Sequence, residues 1–432
     1  MRPADSARTR DWKAGANSAS NLDRRRRPRG RLAPSQLFRW ALIGFAVWLL
    51  VGLIIGLIAL DRFKLPAPTG PYAVGTTTLT LTDPTRLEPH NPSGSFSTRR
   101  TVVVQLWYPA AQSSNPIARY QRWREATLST FYTPLLHTHS RIDAPIASTP
   151  AQFPVLLFGS RWGGQRTQNT ALAEDLASHG YVVAAVDHPY NAARVEINGH
   201  VITGNEALEG PGGSSSPAFA QIAFWNSTLD LWAADDLFVL NQLTALNSTR
   251  FHNALDTTHV GAFGHSFGGA TSFRLLGLDP RIVSAVNLDG WTFGALISRT
   301  SQPMLLIDEQ AAADREHNLL TLPTPGATED QLDHADNTAV ESSLTHFGGY
   351  RLYVRGTQHL DFSDQPLLPP LRRLEYTGPI EPARIDTILR QIVLAFFDQT
   401  LRNQPAPVLN TPNSMPEVTI QHWPAQTFTP AK

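Results

Sequence analysis

Residues 259–273 read HVGAFGHSFGGATSF, and this stretch decides the fold class. It runs from an apolar, strand-like segment (259–263) through Gly264-His265-Ser266-Phe267-Gly268 into a helical pattern that opens at Gly269. A G-x-S-x-G pentapeptide alone is a weak signal, since average glycine and serine usage gives about 0.1 chance matches in a chain of this size. Between a strand and a helix it means more. A serine at the apex of that turn must take a strained backbone, and small neighbours permit the close packing this needs. The turn lifts the Ser266 hydroxyl out of the sheet and puts the next N–H groups at a helix N-terminus. Ser266 is therefore the candidate nucleophile and Phe267 N–H a candidate oxyanion donor.

The flanking sequence repeats the strand–helix rhythm. Apolar or β-branched runs at 76–82, 101–108, 154–158, 181–186, 282–288, 304–307 and 350–354 read as strands, several of them buried on both faces. Helical patterns lie at 169–178, 218–246, 270–276 and 385–401. This alternation predicts an α/β fold: a mostly parallel sheet with helices on both faces, starting with an antiparallel pair because no helix separates the first two strands. Two long insertions, 191–217 and 311–349, interrupt the rhythm in the manner of lids or substrate walls. Residues 61–75 read as a Pro/Gly linker and 76–402 as one catalytic domain. Residues 403–432, with six prolines, read as an extended or disordered tail.

A serine hydroxyl is a poor nucleophile at neutral pH and needs a base, itself oriented by a carboxylate. In this topology the chain order is serine, acid, histidine. Five histidines follow Ser266: His317, His334, His346, His359 and His422. His359 sits just past a strong strand, at the end of the sheet where such folds gather catalytic groups. The first three fall in the long insertion and His422 in the tail, and His265, which precedes the nucleophile, reads as structural. The acid is Asp289 or Asp308, each at the end of a strand, and the pattern alone does not separate them. The second oxyanion donor is expected from the loop Gly159-Ser160-Arg161-Trp162-Gly163-Gly164, with Trp162 N–H preferred and Arg161 the alternative.

The N-terminus has a different chemistry. Residues 40–60 carry no charge over 21 positions, WALIGFAVWLLVGLIIGLIAL, enough for a helix of roughly 30 Å, one hydrocarbon core. The run is longer than a signal-peptide core and no A-x-A site follows, so a retained signal anchor is expected. Across 432 residues the charge sums to zero, but residues 1–64 hold 13 basic and 4 acidic side chains, and the remainder 23 and 32. The arginine run at 24–31 places residues 1–39 in the cytoplasm and the catalytic domain outside the cell membrane. This makes topology, not nucleic acid, the reason for the basic cluster; the partners expected are membrane lipid and a small substrate. Nothing in the sequence sets an oligomeric state. The absence of cysteine excludes disulfides, thiolate metal sites and a cysteine nucleophile.

Three segments together resemble the plasma-type, isoform II-like platelet-activating factor acetylhydrolases: 174–188 (EDLASHGYVVAAVDH), 261–296 (GAFGHSFGGATSFRLLGLDPRIVSAVNLDGWTFGAL) and 355–362 (RGTQHLDF). The resemblance implies an α/β-hydrolase fold and a calcium-independent serine esterase without cofactor. The substrates so implied are short acyl esters, sn-2-acetyl phospholipids among them; the alternatives are a general dienelactone hydrolase-like esterase, a polyester hydrolase and a non-catalytic binding protein on a hydrolase fold, which the presence of candidates for all three triad members disfavours. It implies Ser266 as nucleophile, Asp289 as acid and His359 as base, with Trp162 and Phe267 as oxyanion donors. The family's His-Gly before the oxyanion donor is Ser160-Arg161 here, and residues 1–64 and the tail lie outside the match.

Overall fold

The computed structural model describes residues 34–63, 65–90, 99–204, 218–293, 302–312, 328–368, 377–411 and 415–424. The arginine run and parts of both insertions lie outside these. The chain divides into two units, residues 1–57 and 58–432.

In the first unit, helix α1 begins; it spans Pro34–Arg62. Its segment Phe38–Gly56 has a mean hydropathy of 2.2 and none of it is buried within the protein. A globular surface helix is apolar on one face only. This one presents Phe38, Trp40, Phe45, Trp48 and Ile55 to its surroundings on all sides.

The second unit is built on an eleven-stranded sheet of order β13-β12-β11-β10-β9-β5-β6-β2-β1-β4-β3. Its strands are β1 (Ala73–Leu87), β2 (Arg99–Ala110), β3 (Ile117–Arg119), β4 (His137–Ile142), β5 (Phe153–Gly159), β6 (Val182–Asp187), β9 (Leu255–His265), β10 (Ile282–Leu288), β11 (Met304–Glu309), β12 (Gly349–Val354) and β13 (Val418–Trp423). The hairpin β7 (Arg194–Ile197) and β8 (His200–Thr203) stands apart from it. From β6 through β5, β9, β10 and β11 to β12 every pairing is parallel. The β1–β2 and β2–β6 pairings are antiparallel, as the missing helix between the first strands predicts.

Helices cover both faces. On one, α3 (Ala218–Arg250), α4 (Phe267–Leu276) and α5 (Thr328–Phe347) pack Val239, Leu243, Phe273 and Leu344 against Val104, Leu157 and Val260 of the strands. On the other, α2 (Thr170–Ser178) and α6 (Pro382–Arg402) pack Leu176, Ile388 and Phe396 against Phe158, Phe263 and Leu305. Leu157 and Phe158 fall in different cores because successive strand side chains point to opposite faces.

Two boundaries need correction. The tail is not all outside the sheet: Val418–Trp423 pairs antiparallel with the β12 edge, a short strand that covers otherwise unpaired backbone groups. The linker is not free either. Leu65 is buried with Tyr120, Tyr132 and Leu136, and Arg390 Nη1 and Nη2 donate to the carbonyls of Ala67 and Pro66. The sequence also hides β3 and β4, whose short polar stretches lack the apolar run of a two-face strand.

A buried ionic network ties α3 to the start of β2. The Arg100 side chain is wholly buried, donates to Asp235 at 2.6 Å and to Glu88 at 2.9 Å, and Asp235 also accepts from His188 at 2.9 Å. Burial pushes the Asp235 carboxyl up, but the Arg100 charge and the His188 and Arg100 hydrogen bonds outweigh it and hold the group below its ordinary value. A carboxyl lowered in the folded state contributes stability that is fully present above its unfolded pKa and is lost as pH falls through the folded one. We predict that Arg100→Met, which leaves buried Asp235 with only Arg86 at 2.8 Å and His188 as partners and takes the cation from Glu88, destabilises the domain by about 1.5–3 kcal/mol near neutral pH. Urea melts at pH 7 check this, and loss under 1 kcal/mol would contradict it.

Candidate active site

The turn after β9 has the strained geometry its sequence demands. Ser266 sits at φ 57°, ψ −121°, and its N–H donates to Leu288 O at 2.8 Å. A positive φ is costly for any side-chain-bearing residue and persists only where the surroundings over-determine it. They do so by close backbone packing. A Cβ on Gly268 would lie 2.1 Å from Gly159 O, and one on Gly264 would lie 2.3 Å from the Gly268 carbonyl carbon. Beneath the turn, the Asn287 side chain accepts from Gly290 N–H and donates to Gly290 O, both at 2.8 Å. Asn287 is a supporting residue that its plain strand context conceals.

Asp289 ends β10, also at positive φ (56°), with its N–H donating to Ile307 O at 2.8 Å. One carboxylate oxygen accepts the Glu309 N–H at 2.8 Å, and the other lies 2.5 Å from His359 Nδ1. The His359 side chain is 41% exposed and Asp289 is 7% exposed. Asp308, the other acid candidate, is engaged elsewhere: its carboxylate accepts from Arg351 Nε at 2.9 Å. The geometry thus separates two carboxylates that the strand pattern leaves equal.

His359 opens a 3-10 turn, His359–Phe362, that is itself held from two sides. Asp361 accepts from Gln358 N–H at 2.8 Å and Gly378 N–H at 2.6 Å. Buried His265 donates from Nε2 to His359 O at 2.8 Å, and its Nδ1 accepts from Gln168 at 2.6 Å. A carbonyl only accepts, which assigns the His265 proton to Nε2. Burial foremost, with Arg161 nearby, pushes His265 well below its ordinary value. His265 has the structural part expected of it. Of the others, His334 and His346 lie on α5, and the His422 ring stacks on Tyr350 at 4.5 Å; none lines the site, and His317 falls outside the described residues.

In the loop after β5, Arg161 N–H points to Gln168 Oε1 at 3.3 Å and Gly163 N–H donates to Asn191 O at 3.0 Å. Phe267 is the first residue of α4, so its N–H has no intrahelical acceptor. Neither Phe267 N–H nor Trp162 N–H meets an acceptor among the described residues. The Trp162 indole packs edge-on against Trp225 (5.1 Å) and Phe267 (5.3 Å) and lies parallel to Trp232.

These groups line one pocket of about 420 Å³, which holds Ser266, Asp289, His359, Phe267 and Trp162 together. Its walls add Trp225 from α3, Trp291 and Phe293 beyond β10, and Asp336, Asn337 and Val340 from α5. The insertion 311–349 therefore supplies part of the pocket wall through its helix. The sequence marks that segment as an insertion but offers no sign of which residues face the site. The 191–217 insertion contributes the β7–β8 hairpin in its described part.

A family model described as platelet-activating factor acetylhydrolase, isoform II, matches residues 57–202 and 237–406. A probable 1-alkyl-2-acetylglycerophosphocholine esterase from Arthroderma benhamiae is 27% identical over 401 residues, 83% of this chain and 94% of that protein. The platelet-activating factor acetylhydrolase of Canis lupus familiaris is 25% identical over 280 residues, 58% of this chain and 61% of that enzyme. Among solved structures, a ferulic acid esterase from Streptomyces cinnamoneus superposes with a TM-score of 0.66 at 31% identity, covering 83% of this chain and 99% of that one. With a nucleophile turn, an Asp–His pair and an aromatic pocket on this sheet, and with the family model spanning well over half its length, the chain belongs to the platelet-activating factor acetylhydrolase isoform II family of carboxylic ester hydrolases.

Proposed function

We propose that this esterase works through a Ser266–His359–Asp289 triad and a covalent acyl-enzyme. The observation that carries the reading is the 2.5 Å Asp289–His359 contact at the rim of the pocket that also holds the strained Ser266. Asp289 fixes the tautomer of His359 with Nδ1–H, leaving Nε2 as the base toward Ser266. His359 takes the Ser266 proton as Oγ attacks the ester carbonyl. The oxyanion is held by the Phe267 and Trp162 N–H groups, each such donor worth roughly 3–4 kcal/mol in the transition state. His359 then protonates the leaving alcohol, and water, activated by the same imidazole, releases the acid and regenerates Ser266.

The substrates we assign are short acyl esters, sn-2-acetyl glycerophospholipids among them. Support comes from relatives named for 1-alkyl-2-acetylglycerophosphocholine and platelet-activating factor. The membrane side of the reading rests on α1. An apolar span of mean hydropathy 2.2 between a strongly basic segment and an acidic domain fits a single-pass anchor. The N-terminus is cytoplasmic and the catalytic domain lies outside the membrane.

Ser266→Ala is expected to remove essentially all turnover of p-nitrophenyl acetate, and Asp289→Asn to lower kcat by about 10⁴-fold. A Ser266→Ala protein with full activity would overturn the nucleophile. A larger loss from Asp308→Asn than from Asp289→Asn would move the orienting role to Asp308. For the anchor, the full chain is expected to stay in the membrane pellet through alkaline carbonate and to come free in detergent. Release by carbonate alone would exclude a spanning helix.

A further inference from the structure

The contact of Gly159 with Gly268 fixes the root of the loop after β5, but Trp162 lies beyond that root. Its neighbour Gly163 sits at φ 65°, a turn that glycine permits but does not enforce. The hold on this part of the loop comes from two other elements. Trp232 of α3, only 1% exposed, donates from Nε1 to Asn191 Oδ1 at 3.0 Å. Asn191 is buried too, and its carbonyl accepts the Gly163 N–H at 3.0 Å, next in sequence to Trp162. Ala193 N–H donates to Gly164 O at 3.1 Å and closes the clasp. The clasp is itself pinned, because Asn191 N–H and Ala192 N–H both donate to His188 O, at 3.1 and 2.8 Å.

The same indole meets both residues assigned to the oxyanion. Its ring lies parallel to that of Trp162, with centroids 6.0 Å apart, and edge-on to Phe267 at 4.8 Å. It also stacks on His188 at 4.0 Å, whose Nδ1 bonds Asp235 at 2.9 Å. The pocket walls include Trp162, Trp225 and Phe267 but not Trp232, so any effect of Trp232 on the reaction passes through other residues. Filling space alone would suit phenylalanine, which has no buried N–H to satisfy. Here the indole N–H is given to the residue whose carbonyl holds Gly163. A donor that must meet charge as it develops has to be in place beforehand, and Phe267 N–H has the start of α4 to fix it. Trp162 N–H has the clasp.

We infer that Trp232, acting through Asn191, is a positioning residue that sets Trp162 N–H relative to Phe267 N–H. The inference rests on the triad and oxyanion reading above.

The test compares Trp232→Phe, Asn191→Leu and the double variant, each as the full chain in detergent. The first removes the donor and the second the acceptor; each single variant strands the other partner, and the double variant strands neither. Fluorophosphonate labelling counts the reactive serines, so rates are taken per labelled serine and a partly folded preparation does not alter them. With p-nitrophenyl acetate, kcat in each single variant is expected about tenfold or more below wild type, part of the roughly 10²–10³ that loss of a whole donor costs. KM should stay within about twofold, since the interaction is made only in the transition state. The double variant should fall no further than the lower single one, because all three break the same bond. The second readout is inhibition by trifluoroacetophenone. Ser266 Oγ bonds to its carbonyl carbon, the hydroxyl proton passes to His359, and the carbonyl oxygen becomes an alkoxide in the oxyanion site. Its Ki should rise by the factor by which kcat/KM falls. Wild-type kcat per labelled serine in both single variants, or a loss confined to KM, would overturn the positioning role and leave the triad standing. So would a fall in kcat with Ki unchanged, which puts the fault outside the oxyanion site. Full activity in Ser266→Ala would overturn both.

Discussion

Three glycine backbones in contact carry this active site. Gly159 ends β5, Gly264 lies near the end of β9, and Gly268 is the second residue of α4, and the first two stand opposite each other in the parallel register. Any side chain at Gly268 would strike Gly159 O at 2.1 Å, against backbone with no room to give. The contact sets the angle between β9 and α4, and with it the positive φ of Ser266. It also brings the loop after β5 alongside the first turn of α4. The two N–H groups assigned to the oxyanion therefore come from separate elements whose spacing is set by backbone contact, which is stiffer than side-chain packing. A site that must stabilise charge at the moment it develops gains from such donors because nothing needs to reorganise.

His359, the proposed base, is held differently, by polar contacts to a loop. His359 is fixed on a half-exposed turn by Asp289 on its ring, by His265 on its carbonyl and by Asp361 on the N–H of the preceding Gln358. His265, beside Ser266 in sequence, braces the loop that carries His359. It does this as a fully buried imidazole, whose burial disfavours the charged form. The pocket wall belongs to α5, α3 and the segment after β10, while Ser266, Asp289 and His359 sit at the sheet end.

The parts of this architecture visible in the sequence are those with strong local physics. The continuous apolar runs of β5, β6, β9, β10 and β11 report burial on two faces, and the predicted 282–288 matches Ile282–Leu288 without adjustment. Ser266 and His359 are marked by motif and chain order. Asp289 and Asp308 are alike in sequence because both end a strand with an acid; only the position of Arg351 on the neighbouring strand tells them apart, and that is a tertiary fact. The same is true of Trp225, Phe293 and Asn337, which face the pocket through the packing of distant elements. β13 escaped notice because proline-rich surroundings mask a six-residue edge strand whose register is set by β12.

The central claim is that Ser266 forms the covalent intermediate. Treating the full chain with a fluorophosphonate and mapping the modified peptide by tandem mass spectrometry tests it directly. The account predicts a single phosphonylated residue, Ser266, with activity lost in proportion to labelling. Inactivation with the label on any other residue, or activity that survives complete labelling of Ser266, would contradict it.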